Sequence, residues 1–106
     1  MKPRKYKTPG EKAYHDVVAS LPCVLCGLLG QRQTTPTTVH HDTQSAGMAQ
    51  RSGHYLAAAL CRDCHQGPLG VHGDKTLLRI AKVSELDLIN ETIGQAFAAM
   101  REVLHG

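Results

Sequence analysis

A small α+β domain is predicted by three features of the chain. Two Cys-x-x-Cys knuckles, Cys23/Cys26 and Cys61/Cys64, stand far apart in sequence. Two short β patterns, residues 37–42 and 54–60, lie between them. One helical pattern precedes this central part and two follow it. The 106 residues correspond to one domain, read as residues 8–106 behind a flexible basic arm at 1–7. With three Tyr, one Phe and no Trp, the core is modest, and domains of this size often need a disulfide or metal staple.

The elements follow in order. Thr8-Pro9-Gly10-Glu11 is a helix start: a Thr cap, Pro at the first helical position and Glu three after the cap. The helix runs to about Leu21, with Ala13, Val17, Val18 and Leu21 as its apolar face, and Pro22 stops it. Residues 22–27 read as a turn with two thiols facing one point. Residues 30–38, polar and interrupted by Pro36, read as loop. Thr37 to Asp42 reads as a strand, residues 43–53 as loop, and His54 to Leu60 as a second strand, although its alanines suit a helix equally. Asp74 caps a helix to about Lys82, and Ser84-Glu-Leu-Asp87 is a second capping box. Beyond it Leu86, Ile89, Ile93, Phe97, Met100 and Leu104 step by three or four along a long helix. Core packing is the plain reading of that stripe, and a dimer seam the sharper one.

The opening MKPRKYKTPGEK is followed by no apolar run, so neither a signal peptide nor a membrane span is expected. That predicts a cytoplasmic protein, where disulfides are rare. The cysteines then read as zinc ligands. Two-residue spacing lets both sulfurs of a turn face one ion, and two such turns close a tetrahedral four-thiolate site. A closed site is structural, so another group must carry function. The run Cys61-Arg-Asp-Cys64-His65 also fits c-type haem attachment. Haem of that kind is usually attached outside the cytoplasm, and it leaves Cys23 and Cys26 without a role.

The net charge is +3 and the pI about 8.8, a mild bias toward polyanions. Lys2, Arg4, Lys5, Lys7 and Lys12 are clustered in the first twelve residues. Either a solvated tail or a nucleic-acid contact accounts for them; the first four are the candidate contacts. Five of the seven histidines fall between residues 40 and 72. His40 and His41 are adjacent on a predicted strand and point to opposite sides, so one can face a metal and the other a substrate water.

The order Cys-x-x-Cys, His-His, Leu-Cys-x-x-Cys-His over residues 22–73 resembles the HNH endonuclease family. Within it, GHYLAAALCRDCHQGPLGVHG is most similar to small phage-encoded members, including recombination-enhancement proteins that act as RecA-dependent nucleases. The resemblance implies a ββα-metal core, a structural Zn²⁺ and a catalytic divalent metal (Mg²⁺, Mn²⁺, Ni²⁺ or Zn²⁺). Helices at about 74–104 would flank that core. By position, His41 is the implied general base and His40 and His65 are implied metal ligands. The family's middle Asn is missing; His54 is the nearest substitute and would orient His41. Gly67, Pro68 and Gly70 interrupt the helix on which many members carry the last ligand, so His72, reached by a turn through Gly70, is favoured as third ligand. Otherwise the ion has two protein ligands plus waters, or His54 joins it.

The implied activity is metal-assisted hydrolysis of DNA phosphodiester bonds, leaving a 5′-phosphate and a 3′-hydroxyl. A recombinase filament is a further implied partner, and oligomeric state stays open. Three readings compete: the nuclease, a non-catalytic zinc-stabilised nucleic-acid-binding module, and the haem carrier. His15 and His105 are expected to be exposed helix residues without a role. Asp42, beside the histidine pair, could orient a histidine or add a metal contact.

Overall fold

A computed structural model of the chain describes residues 7–42 and 53–105. Lys2, Arg4 and Lys5 of the arm, and the loop at 43–52, lie outside the described residues. Among those described, the order is α1 (Pro9–Ser20), α2 (Val24–Leu29), β1 (Thr37–His41), β2 (Ala57–Cys61), α3 (Arg62–Gln66), α4 (Thr76–Ala81) and α5 (Glu85–His105). The mixed α+β class is as read from the sequence.

Thr8 and Glu11 cap α1 reciprocally: Glu11 N donates to Thr8 Oγ1 at 3.1 Å, and Thr8 N donates to Glu11 Oε1 at 2.7 Å. Leu21 is extended (φ −81°, ψ 156°), as a residue before proline must be, and the helix ends there. Its buried face differs from the expected one. Val18, Leu21 and His15 are buried, whereas Ala13 is exposed. The face is set by contact with β1, β2 and α5 rather than by apolar spacing alone.

Residues 22–27, read as a turn, enter a short helix instead. Cys23 caps it, its sulfur accepting from Cys26 N at 3.4 Å, and Gly30 closes it in the left-handed region at φ 68°. Pro9–Leu29 is thus two helices broken at Pro22. By length and mean hydropathy (1.2) this stretch could cross a membrane, which the sequence reading did not anticipate. Its Val18 and Leu25 are fully buried in the core.

β1 and β2 pair antiparallel, with His40 opposite Ala58 and His41 opposite Ala57. The alanine run forms a strand because both its sides are satisfied. One side pairs with β1. On the other, Ala59 N donates at 3.1 Å to Thr92 Oγ1 of α5, whose own hydroxyl donates to Leu88 O. An otherwise open strand edge is closed by a helix side chain. Every residue of β2 is buried.

Ser84 and Asp87 cap α5 as expected, with Ser84 N to Asp87 Oδ2 at 2.8 Å and Asp87 N to Ser84 Oγ at 3.2 Å. The core face of α5 is not the predicted stripe. Glu85, Leu88, Ile89, Thr92 and Ala96 are buried, while Leu86, Ile93, Phe97 and Met100 are 53, 46, 67 and 37% exposed. The alanine strand has little depth, so the face bearing Thr92 and Ala96 approaches it most closely. Bulky Phe97 has no room there. Asp74 Oδ1 accepts from Thr76 N at 2.9 Å, but the cap position of α4 is Lys75, in the left-handed region at φ 64°, and its side chain makes no capping bond, so Asp74 is not the cap expected from the sequence.

Candidate metal centres

The two knuckles meet. Cys23 and Cys26 arrive on the first turn of α2; Cys61 ends β2 and Cys64 lies on α3, so one sharp strand-to-helix step delivers both. The four sulfurs lie within 4.8 Å of one another and all four residues are buried. Cys26 Sγ is 3.7 Å from both Cys61 Sγ and Cys64 Sγ. Tetrahedral Zn–S bonds of about 2.3 Å put sulfurs roughly 3.8 Å apart, so the spacing fits a zinc ion and is far too long for a disulfide.

Without a cation the thiols perturb one another. Hydrogen bonding to Cys64 pulls the Cys23 thiol down to about 5, the same contact pushes the Cys64 thiol up, and burial pushes the Cys26 thiol up to about 11. Four buried thiolates are compatible only around a positive charge. The polar loop before β1 supports them. Gln33 Oε1 accepts from Cys23 N at 2.7 Å, and Gln31 Nε2 donates to Cys26 Sγ at 3.4 Å.

A second group forms from His40, His65 and His72, whose ligand atoms also lie within 4.8 Å of one another. Ring centroids are 4.9 Å (His40–His65), 5.1 Å (His40–His72) and 4.9 Å (His65–His72) apart. His40 comes from β1, His65 from α3, and His72 from the turn after it. That turn runs through Gly70, as the sequence reading anticipated: Val71 N donates to Cys64 O at 2.8 Å and His72 N to His65 O at 3.1 Å. A Cβ on Gly70 would collide with the Cys64 carbonyl oxygen.

The neighbours of these rings fix where their protons sit. His40 Nε2 lies 2.6 Å from Glu85 Oε1, with both side chains 1% exposed. A carboxylate only accepts, so Nε2 carries the proton and the buried Nδ1, which has no hydrogen-bond partner, presents a lone pair. Thr38 Oγ1 donates to Leu60 O at 2.8 Å and therefore accepts from His65 Nδ1–H at 2.8 Å, leaving His65 Nε2 as the ligand atom. Burial, then the positive fields of His40 and His72, lower His65 to about 4; burial also lowers His40. Both are neutral near pH 7, the form that binds metal. With His72 exposed, the group is open to solvent on one side. These features fit a divalent cation held by three imidazoles with positions left over for exchangeable ligands.

Glu85 and Thr38 were not singled out in the sequence. Glu85 lies 45 residues from His40, inside what reads locally as a capping box, and no local signal points to the pairing. Asp42, expected to have a possible orienting role, is buried at 3%, and its charge favours protonated His40.

His41 lies on the opposite side of β1 from His40, exposed, with its ring edge-on to His15 at 5.0 Å and His54 at 5.9 Å. Burial, then the charges of His15 and His54, lower its pKa. The backbone carbonyl of His54, the residue expected to orient His41, accepts from His15 Nε2. His15 itself is a correction: it is 4% exposed rather than a surface residue. Of the expected basic contacts, Lys7 lies within the described residues, its Nζ 3.2 Å from His15 Nδ1. His105 falls in the last turn of α5. Compared with known proteins, the chain matches no family model, no curated protein and no solved structure.

Proposed function

We propose that the chain is a metal-dependent endonuclease of the HNH kind, hydrolysing DNA phosphodiester bonds. One observation carries the reading: the ligand atoms of His40, His65 and His72 lie within 4.8 Å of one another, while the adjacent strand residue His41 is exposed on the other side of β1. A divalent ion at such a centre supplies charge stabilisation on phosphate and leaving oxygen. The chain's own residues do the rest. His41, neutral at pH 7, accepts the proton of the attacking water at a ring nitrogen. Glu85 and Thr38 keep the ligand rings in the right tautomer. The four-cysteine zinc site is structural: it holds β2 and α3 together, and so holds His65.

The finer reading, a phage-encoded enzyme acting with a recombinase filament, rests on the likeness of residues 53–73 to that subgroup. The non-catalytic DNA-binding module accounts for the buried cysteine group equally well, but gives no reason for three converging histidines.

The test is cleavage of supercoiled plasmid with Mg²⁺, Mn²⁺ or Ni²⁺, with and without EDTA, beside His41→Ala. Metal-dependent nicking that disappears in folded, zinc-loaded His41→Ala supports the reading. Absence of cleavage with every metal, alone and with the filament, sinks it in favour of the binding module.

A further inference from the structure

α5 carries two faces rich in apolar residues, and the core uses one. Leu88, Ile89, Thr92 and Ala96 are buried against the rest of the domain. Roughly 100° further round the helix, Leu86, Asn90, Ile93, Phe97 and Met100 form an exposed stripe. Its steps are four, three, four and three residues, the spacing of a two-stranded coiled-coil seam. Asn90 is its one polar member, and a single polar position in such a seam restricts register at a cost in stability.

A groove lies beside the stripe, lined by Gly94, Phe97, Ala98, Arg101 and Glu102. The first four are spaced i, i+3, i+4 and i+7, the diamond that receives a knob from a facing helix. Gly94 opens it. Glycine is among the poorest residues for a helix interior, and within the described residues a Cβ at Gly94 would meet open space. Close approach of another helix gives the glycine a use.

The charges identify which helix. Asp87 and Arg101 stand seven residues either side of Gly94. Both are exposed, on the same flank of the stripe. In an antiparallel pair of α5 helices crossing near Gly94, Asp87 of each copy lies beside Arg101 of the other, twice by symmetry. The same register sets Ile93 of the second copy level with the groove. Asp87 Oδ2 accepts from Ser84 N and Oγ, and a carboxylate has capacity for further bonds. Exposed pairs of this kind add little affinity; they fix the register.

We propose that α5 is a self-association helix. Two copies of the chain pair antiparallel through Leu86, Ile93, Phe97 and Met100, about a two-fold axis near Gly94, with an Asp87–Arg101 pair at each end. The inference does not depend on the nuclease reading. The seam is about 21 Å long, short beside a standard interface, so the dimer exchanges with monomer.

The experiment is sedimentation equilibrium of the full, zinc-loaded chain from about 1 µM to about 1 mM. The wild type should pass from monomer to dimer within that range. Phe97 is 67% exposed, so Phe97→Glu should stay monomeric throughout with zinc content and circular dichroism unchanged. Arg101→Glu sets two like-charge pairs against each other and should weaken association about tenfold; Arg101→Lys should keep it. Asp87→Lys with Arg101→Glu recreates opposite charges and should associate more tightly than either single variant, which also corrects for the lost Ser84 cap. If the double variant does not fold, the Arg101→Glu and Arg101→Lys pair gives the answer.

A wild type that is monomeric at every concentration overturns the proposal, whatever else covers the stripe. A dimer that persists in Phe97→Glu overturns it too, because assembly then uses another surface. Wild-type association in Arg101→Glu, or a double variant no tighter than the singles, overturns the antiparallel pairing.

Discussion

Glu85 Oε1 sits 2.6 Å from His40 Nε2, and the two side chains are sealed from solvent at 1% exposure each. The carboxylate opens α5 and the imidazole stands one residue before the end of β1, so this hydrogen bond joins the long helix to the three-histidine group. Orienting partners of this kind typically account for about 10–100-fold in metal affinity. Glu85→Gln should weaken Mn²⁺ or Ni²⁺ binding within that range in calorimetry, with zinc content unchanged. Glu85→Ala should also lower stability by about 1–3 kcal/mol, because the His40 N–H is left buried without an acceptor. Metal affinity equal to wild type in Glu85→Gln would count against the pairing.

Loss of any knuckle cysteine should be far more damaging. Structural zinc binding supplies about 10–16 kcal/mol in small domains, comparable to or greater than a typical folding free energy of about 5–15 kcal/mol. Cys61→Ser or Cys26→Ser should abolish tight zinc and leave the chain largely unfolded. Circular dichroism and metal analysis on the same sample check this. A folded, zinc-free variant would show that the apolar core suffices.

The two histidine roles should separate kinetically. His41→Ala should reduce cleavage about 10²–10⁴-fold, the usual contribution of a general base, while both ions still bind. His72→Ala should instead weaken the ion, so that activity recovers as Mn²⁺ is raised. A His41→Ala loss reversed by added metal would exchange the assignments.

Acid should destabilise the protein when the second centre is empty. His40, His41 and His65 all titrate lower in the folded chain than the ordinary 6.5, His65 at about 4. Between those values the unfolded chain binds more protons, so stability rises with pH and is lost as pH falls from 6.5 toward about 4. Urea titrations of wild type and His65→Asn at several pH values, with zinc present and no other divalent ion, measure it. His65→Asn should show a shallower decline. Parallel curves would assign the acid sensitivity to groups other than His65.

What was legible in the sequence is local. Thr8/Glu11 and Ser84/Asp87 announce helix starts because a cap and its partner are three residues apart. The knuckles announce a metal through their two-residue spacing, and Gly70 marks the turn that returns His72 to His65. The misses are tertiary. His15 falls in a polar-looking helix, and its burial follows from what α1 packs against. The face of α5 was misjudged because Leu, Ile and Phe spacing outweighed Thr92 and Ala96, whose small size matters only opposite an alanine strand. Glu85 became visible only when α5 was laid across β2.

That alanine strand acts as a shim. Ala58 pairs with His40, and Ala59 meets Thr92 of α5, both fully buried. The thickness of this layer sets the clearance between α5 and β1, and with it the reach of Glu85 to His40. Ala58→Val should lift the helix, slacken that reach and loosen the second metal while leaving zinc in place. Dose-response curves for Mn²⁺ would then shift through a residue that binds nothing, making the ion's affinity a matter of mechanical tolerance as much as of ligand chemistry.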